Sequence, residues 1–110
     1  MSNKILIIIA SGDKDKAITG MAYAKNAIKR GWLEEIKVVY FGPVERLMIE
    51  DEDVRESALE LSELTNPLAC KAITEEGGFT EDIEELGIKA EYVGSIISDH
   101  IKDGFTPMVW

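Results

Sequence analysis

Near the start of the chain, Ile5 to Ala10 (ILIIIA) form an apolar run with no polar alternation. A strand with one wet face alternates, whereas a parallel strand covered on both faces reads as a continuous run of this kind. The run is too short for a signal-peptide core or a membrane span, and acidic residues follow it closely. Ser11-Gly12-Asp13 breaks it. From Asp15 to Arg30, Ile18, Met21, Ala22 and Ile28 recur at helical spacing, with alanines at 17, 24 and 27 between them. Lys29 and Arg30 suit a last turn and Gly31 the cap beyond it. A buried strand followed by a crossover helix is the unit from which parallel sheets are built.

The rest of the chain repeats that alternation. Ile36 to Phe41 predicts a second strand, ended by Gly42-Pro43. Pro43 opens a short helix with Val44, Leu47 and Met48 on one face. A longer helix from about Asp53 to Leu64 buries Val54, Ala58, Leu61 and Leu64, and Asn66-Pro67 stops it. Leu68 to Cys70 predicts a short third strand, and Lys71 to Glu76 a short helix closed by Gly77-Gly78. Thr80 is placed to cap a helix through Leu86, which Gly87 ends. Lys89 to Val93 predicts a fourth strand, Ser95 to Lys102 a helix, and Thr106 to Trp110 a final strand. The expected fold class is α/β, a three-layer α/β/α arrangement around a five-stranded parallel sheet. With 110 residues, no repeats and no linker, residues 1–110 form a single domain.

Charge and cysteine content narrow the partners. The 12 basic residues against 21 acidic ones give a formal charge of −9, so no basic surface is available for nucleic acid or an anionic membrane. The acidic run Glu50 to Asp53 reads as a solvated loop or a helix start. One cysteine cannot form an internal disulfide, which fits a reducing compartment and predicts a cytoplasmic protein. No metal site is expected, since His100 has no second histidine or cysteine at ligand spacing. Nothing in the sequence calls for a cofactor. The apolar ending TPMVW, with Trp32 and Phe79, predicts surfaces for self-association.

Ligands in open α/β sheets bind at the carboxyl ends of the strands. The loops expected there are Ser11 to Asp15, Gly42-Pro43, Cys70-Lys71 and Gly94-Ser95. That places Cys70, the single cysteine, at the functional edge and at the start of a helix, where free amides favour a thiolate. Lys71 adds positive charge beside it, while Glu75 and Glu76 oppose it a turn later. The amides of Ser11 and Gly12 offer a second anion-accepting position, although Asp13 and Asp15 would repel phosphate. The alternative for Cys70 is an apolar packing residue. A peroxidase-like role is disfavoured by the lack of a resolving cysteine.

The ordered pattern KILIIIASGD, AITGMAYAKNAIKRG, IKVVYFGPVERLM and LACKAITEEGGFTEDIEELGIKAEYVG resembles the DsrE/DsrF-like family of small sulfur-relay proteins over nearly the whole chain. The resemblance implies a three-layer fold, assembly as a homo-oligomer (trimer or hexamer), and a cysteine matching Cys70 that accepts sulfane sulfur as a persulfide. That sulfur would pass to a partner thiol on an acceptor protein or small molecule. Some members lack the cysteine and serve only as structural subunits, so the alternative is a non-catalytic oligomeric subunit in which Cys70 packs. In the sulfur-carrying reading Ser11, Gly12 and Gly94 line the approach and Lys71 steadies the thiolate.

Overall fold

The apolar run near the N-terminus forms β1 (Lys4–Ile9), with Leu6, Ile7, Ile8 and Ile9 all buried. Their alternating side chains serve two different cores, which is why the run shows no polar period. The computed structural model describes residues 3–110. After β1 come α1 (Lys14–Lys29), β2 (Glu35–Tyr40), α2 (Val44–Glu50), α3 (Glu52–Ser62) and β3 (Leu68–Cys70). The second half adds α4 (Lys71–Gly77), α5 (Thr80–Glu85), β4 (Lys89–Glu91), α6 (Val93–Lys102) and β5 (Thr106–Val109). The strands form one five-stranded sheet in the order β4-β3-β2-β1-β5, with every neighbouring pair parallel. The α/β class and the five parallel strands are those the alternation predicts.

The two faces of the sheet are covered unequally. Ile7, Ile9, Val38, Tyr40 and Ala69 point to the larger core, built with Ala17, Met21 and Ala24 of α1 and residues of α2, α3 and α5. Leu6, Ile8, Val39 and Cys70 point to the other face, where Val93 and Ile97 of α6 pack on them with Phe105. On this face, among the described residues, α6 is joined only by Ile73 of α4, and Val109 at the β5 edge remains 66 % exposed. The chain end extends the pairing of β5 with β1 through Trp110, whose amide donates to the Ile8 carbonyl and whose carbonyl accepts from Ala10 and Ser11. Its ring lies against α1 at Gly20, where a Cβ would come within 2.7 Å of it.

Several local expectations shift. The fourth strand ends at Glu91, and α6 begins at Val93 because that side chain is fully buried beneath the sheet edge. Gly94 is consequently a first-turn helix residue and not part of a strand-end loop. Thr80 does not cap α5; Phe79 holds the cap position, and the Thr80 hydroxyl donates instead to Thr74 Oγ1 at 2.8 Å. Phe79 is itself buried, with the Arg46 guanidinium 4.8 Å from its ring centroid, so it offers no surface for association. Trp32 is exposed as expected. Asp51 in the acidic run caps α3, accepting from the amides of Asp53 (2.9 Å) and Val54 (3.1 Å). Gly31, Gly78 and Gly87 follow helices with positive φ, as the punctuation predicts.

Candidate functional site

At the carboxyl edge of the sheet, β1, β2, β3 and β4 deliver Ala10–Gly12, Phe41–Pro43, Cys70-Lys71 and Tyr92 respectively. The loop after β2 is fixed tightly on that after β1. Gly42 has φ +148°, and a Cβ there would lie 2.7 Å from the Ala10 carbonyl oxygen. No side chain fits, so glycine is required by both conformation and space. Gly12 approaches the same loop, with an added Cβ only 3.0 Å from Pro43 Cβ.

Cys70 ends β3 and is the residue preceding α4, so a single position is both strand end and helix start. It is 4 % exposed and packs on the α6 face with Val39 and Val93. Phe41 continues β2 by one residue, its amide donating to the Ile9 carbonyl at 2.9 Å. The register Tyr40↔Ala69 then sets Phe41 beside Cys70 on the same face of the sheet. Glu91 is the Cα partner of Cys70 on the other side. Phe41 is 41 % exposed and Tyr92 57 %, so the residues that follow β2 and β4 at this edge meet solvent. The Tyr92 hydroxyl donates to Glu75 Oε1 at 2.5 Å, and this bond raises the phenol pKa above its ordinary value.

The residue that sequence reasoning missed is Glu45. It occupies the first turn of α2 with no solvent-accessible surface, between the buried Val44 and the buried Met48. Its Oε2 accepts from the Gly42 amide at 3.3 Å, while Oε1 is buried with no hydrogen-bond partner. Burial pushes the carboxyl up to about 8; the amides of Gly42 and Cys70 act the other way, favouring its charged form. The carboxyl group is thus held in the fold by the Gly42 amide with burial favouring its neutral form. The available signal was the spacing Gly42-Pro43-Val44-Glu45, in which a glutamate at the second helical position, three residues after Gly42, reaches back to the Gly42 amide.

The other residues singled out divide clearly. Lys71 is adjacent to Cys70, but its Nζ lies 5.6 Å from the Tyr92 ring centroid. Ser11 and Gly12 lie at the end of β1, which β2 separates from β3. The Ser11 amide is already donated to the Trp110 carbonyl at 3.2 Å, and Ser11 Oγ accepts from the Asp13 amide at 3.0 Å. That loop thus folds onto itself and the chain end, leaving the Ser11 amide no role toward an anion. Gly94 lies next to Val93, which packs with Cys70. His100 donates through Nδ1–H to the Ile96 carbonyl at 2.8 Å and stacks edge-on against Phe105. Among the described residues no three His, Cys, Asp or Glu side chains are grouped to hold a metal ion. No helix among them is long and apolar enough to cross a membrane.

An open groove of about 560 Å³ runs between α2 and α4, with Pro43, Arg46, Ile73 and Phe79 in its walls. Cys70 does not line it. Ile73, in its wall, also packs on the cluster that holds Cys70.

The architecture is that of a three-layer α/β/α protein with an all-parallel five-stranded sheet and one cysteine at the carboxyl edge. No protein-family model and no curated protein sequence matches the chain. Among solved structures the chain is similar to a conserved protein of unknown function from Bacteroides thetaiotaomicron. The two share 26 % sequence identity and superpose with a TM-score of 0.90, covering 98 % of this chain and 95 % of that one.

Proposed function

We propose that this protein is a sulfur carrier or sulfurtransferase subunit in which Cys70 accepts sulfane sulfur as a persulfide and passes it to a partner thiol. The observation that carries this reading is the place of Cys70. It is the one cysteine, at the carboxyl edge of a parallel sheet and at a helix start. The Cys70 thiolate attacks the outer sulfur of a donor persulfide, releasing the donor thiolate and leaving Cys70–S–SH after protonation. An acceptor thiolate then attacks the outer sulfur and regenerates the Cys70 thiolate. This cycle needs neither a metal nor a cofactor, and the absence of a second cysteine directs the sulfur to another molecule. The donor and acceptor are proteins or small thiols, in a cytoplasmic setting where thiols stay reduced. Assembly as a homo-oligomer, a trimer or hexamer, belongs to the same reading.

A second reading rests on a specific observation as well. Cys70 is only 4 % exposed and packs among apolar side chains, as a structural cysteine in a non-catalytic subunit does. Alkylation of the native protein separates the two. The sulfur-carrier reading predicts that a small haloacetamide modifies Cys70 within minutes without denaturant, by brief opening beside Phe41 and Tyr92. Modification only in unfolding concentrations of urea would favour the packing subunit.

A further inference from the structure

The two walls of the open groove between α2 and α4 are built alike but carry opposite charges. At the start of α2, Pro43 is followed three positions later by Arg46; on α4, Ile73 is followed three positions later by Glu76. Residues so spaced share one side of a helix, so each wall presents an apolar surface and a charge. The groove opens beside the Gly42-Pro43 turn, at the carboxyl edge of the sheet, where open α/β folds take their ligands. Its volume of about 560 Å³ suits a small molecule.

The Arg46 guanidinium is held in place without being spent. Its carbon lies 4.8 Å from the centroid of the Phe79 ring, so the ring backs it. Its Nη2 reaches the Gly77 carbonyl only at 3.5 Å, and its Nε stands 3.9 Å from Glu50 in an exposed pair. Contacts this long leave most of its donors for a ligand. Gly77 makes the arrangement possible: a Cβ there would press on the Phe79 ring and come within 2.7 Å of Arg46 Nη2. Gly78, at φ +73°, is the residue whose conformation ends α4; Gly77 has no positive φ and supplies space. Across the groove Glu76 is exposed and takes part in no ion pair among the described residues, with Arg46 or any other cation.

We infer that this groove binds a free aliphatic α-amino acid, with its carboxylate on Arg46, its ammonium on Glu76 and its side chain against Pro43 and Ile73. The unbridged pair of charges selects this class. A phosphate or a dicarboxylate would meet Glu76, and the exposed Glu81 and Asp82 of α5 add to the repulsion. A simple cation would meet Arg46. An uncharged apolar ligand would cover both charges and pair neither. A zwitterion answers both, and the guanidinium fork matches a carboxylate edge-on. The inference does not depend on the reading of Cys70.

The test is a titration of the folded full chain with L-leucine, followed by proton–nitrogen NMR at the Gly42, Gly77 and Phe79 amides. N-acetyl-L-leucine, which lacks the ammonium, and L-leucinamide, which lacks the carboxylate, are titrated beside it. Leucine should shift the groove amides saturably, with a dissociation constant on the order of millimolar. Each blocked analogue should bind about tenfold more weakly or worse. Arg46→Gln should abolish the preference for leucine over leucinamide, and Glu76→Gln the preference over N-acetyl-leucine. No saturable shift up to about 20 mM leucine overturns the inference, as do equal affinities for the three ligands or variants that keep both preferences. If a variant fails to fold, the three ligands on the wild type decide alone. None of these readouts involves the thiol, so this result and the sulfur-carrier reading stand or fall separately.

Discussion

Replacing Glu45 with glutamine should flatten the fall in stability that the wild type suffers as pH rises through neutrality. The carboxyl group has an ordinary value of 4.5 and is pushed up to about 8 in the fold. Between those values the native state retains a proton that the unfolded chain has released. The stabilisation is thus complete below 4.5 and is lost as pH rises through about 8. At about 1.4 kcal/mol per pH unit the whole span costs on the order of 5 kcal/mol, and roughly 3 kcal/mol of that falls between pH 6 and 9. Against a total stability of about 5–15 kcal/mol, this is a large effect for one side chain. Urea unfolding followed by circular dichroism at pH 6, 7, 8 and 9 measures it. The difference between wild type and Glu45→Gln should change by about 3 kcal/mol across that range, with equal denaturant slopes. Tyr40, whose phenol burial pushes upward, is present in both proteins, so any contribution it makes cancels. Parallel stability curves for the two proteins would refute the reasoning, because they would mean that Glu45 is ionised at no unusual cost.

Other perturbations bear on the site and its frame. Gly42→Ala forces a side chain against the Ala10 carbonyl at a positive φ, and should cost about 2–4 kcal/mol in thermal unfolding; a loss below about 0.5 kcal/mol would contradict the close approach. Tyr92→Phe removes one exposed hydrogen bond to Glu75 and should cost less than about 1 kcal/mol. Tyr92→Ala should instead raise the native alkylation rate of Cys70 several-fold, and an unchanged rate would show that Tyr92 does not shield the sulfur. Gly20→Ala should displace the Trp110 ring from α1, costing about 1–3 kcal/mol and shifting tryptophan emission.

The parts of the fold that were legible from sequence are those whose signals are local. The unbroken run of β1, the alanine-spaced stripe of α1 and the glycines after helices each point to one structure without knowledge of the rest. The misplaced elements were decided by distant packing. Val93 starts α6 because the sheet face beneath it needs an apolar cover, and nothing in Tyr92-Val93-Gly94 marks that. Thr80 has the chemistry of a cap, yet its hydroxyl donates a hydrogen bond to the buried Thr74 hydroxyl. Phe79 looked like a surface aromatic because the guanidinium and glycine that enclose it come from Arg46 and Gly77, the former far away in sequence.

The site was half legible for the same reason. The strand-end place of Cys70 follows from element order alone. Its burial depends on how Val93 and Ile97 of α6 pack over it, which is a tertiary property. Glu45 was passed over because a glutamate in a first helical turn ordinarily faces water and favours the helix dipole. Only the convergence of α2 with the ends of β2 and β3 turns it inward.

The central claim is that Cys70 carries sulfur, and intact mass spectrometry after incubation with polysulfide tests it most directly, with Cys70→Ser beside the wild type. The account predicts a gain of one or more sulfur atoms on the wild type, reversed by dithiothreitol and absent in the variant. No gain on the wild type, or the same gain on Cys70→Ser, would contradict it.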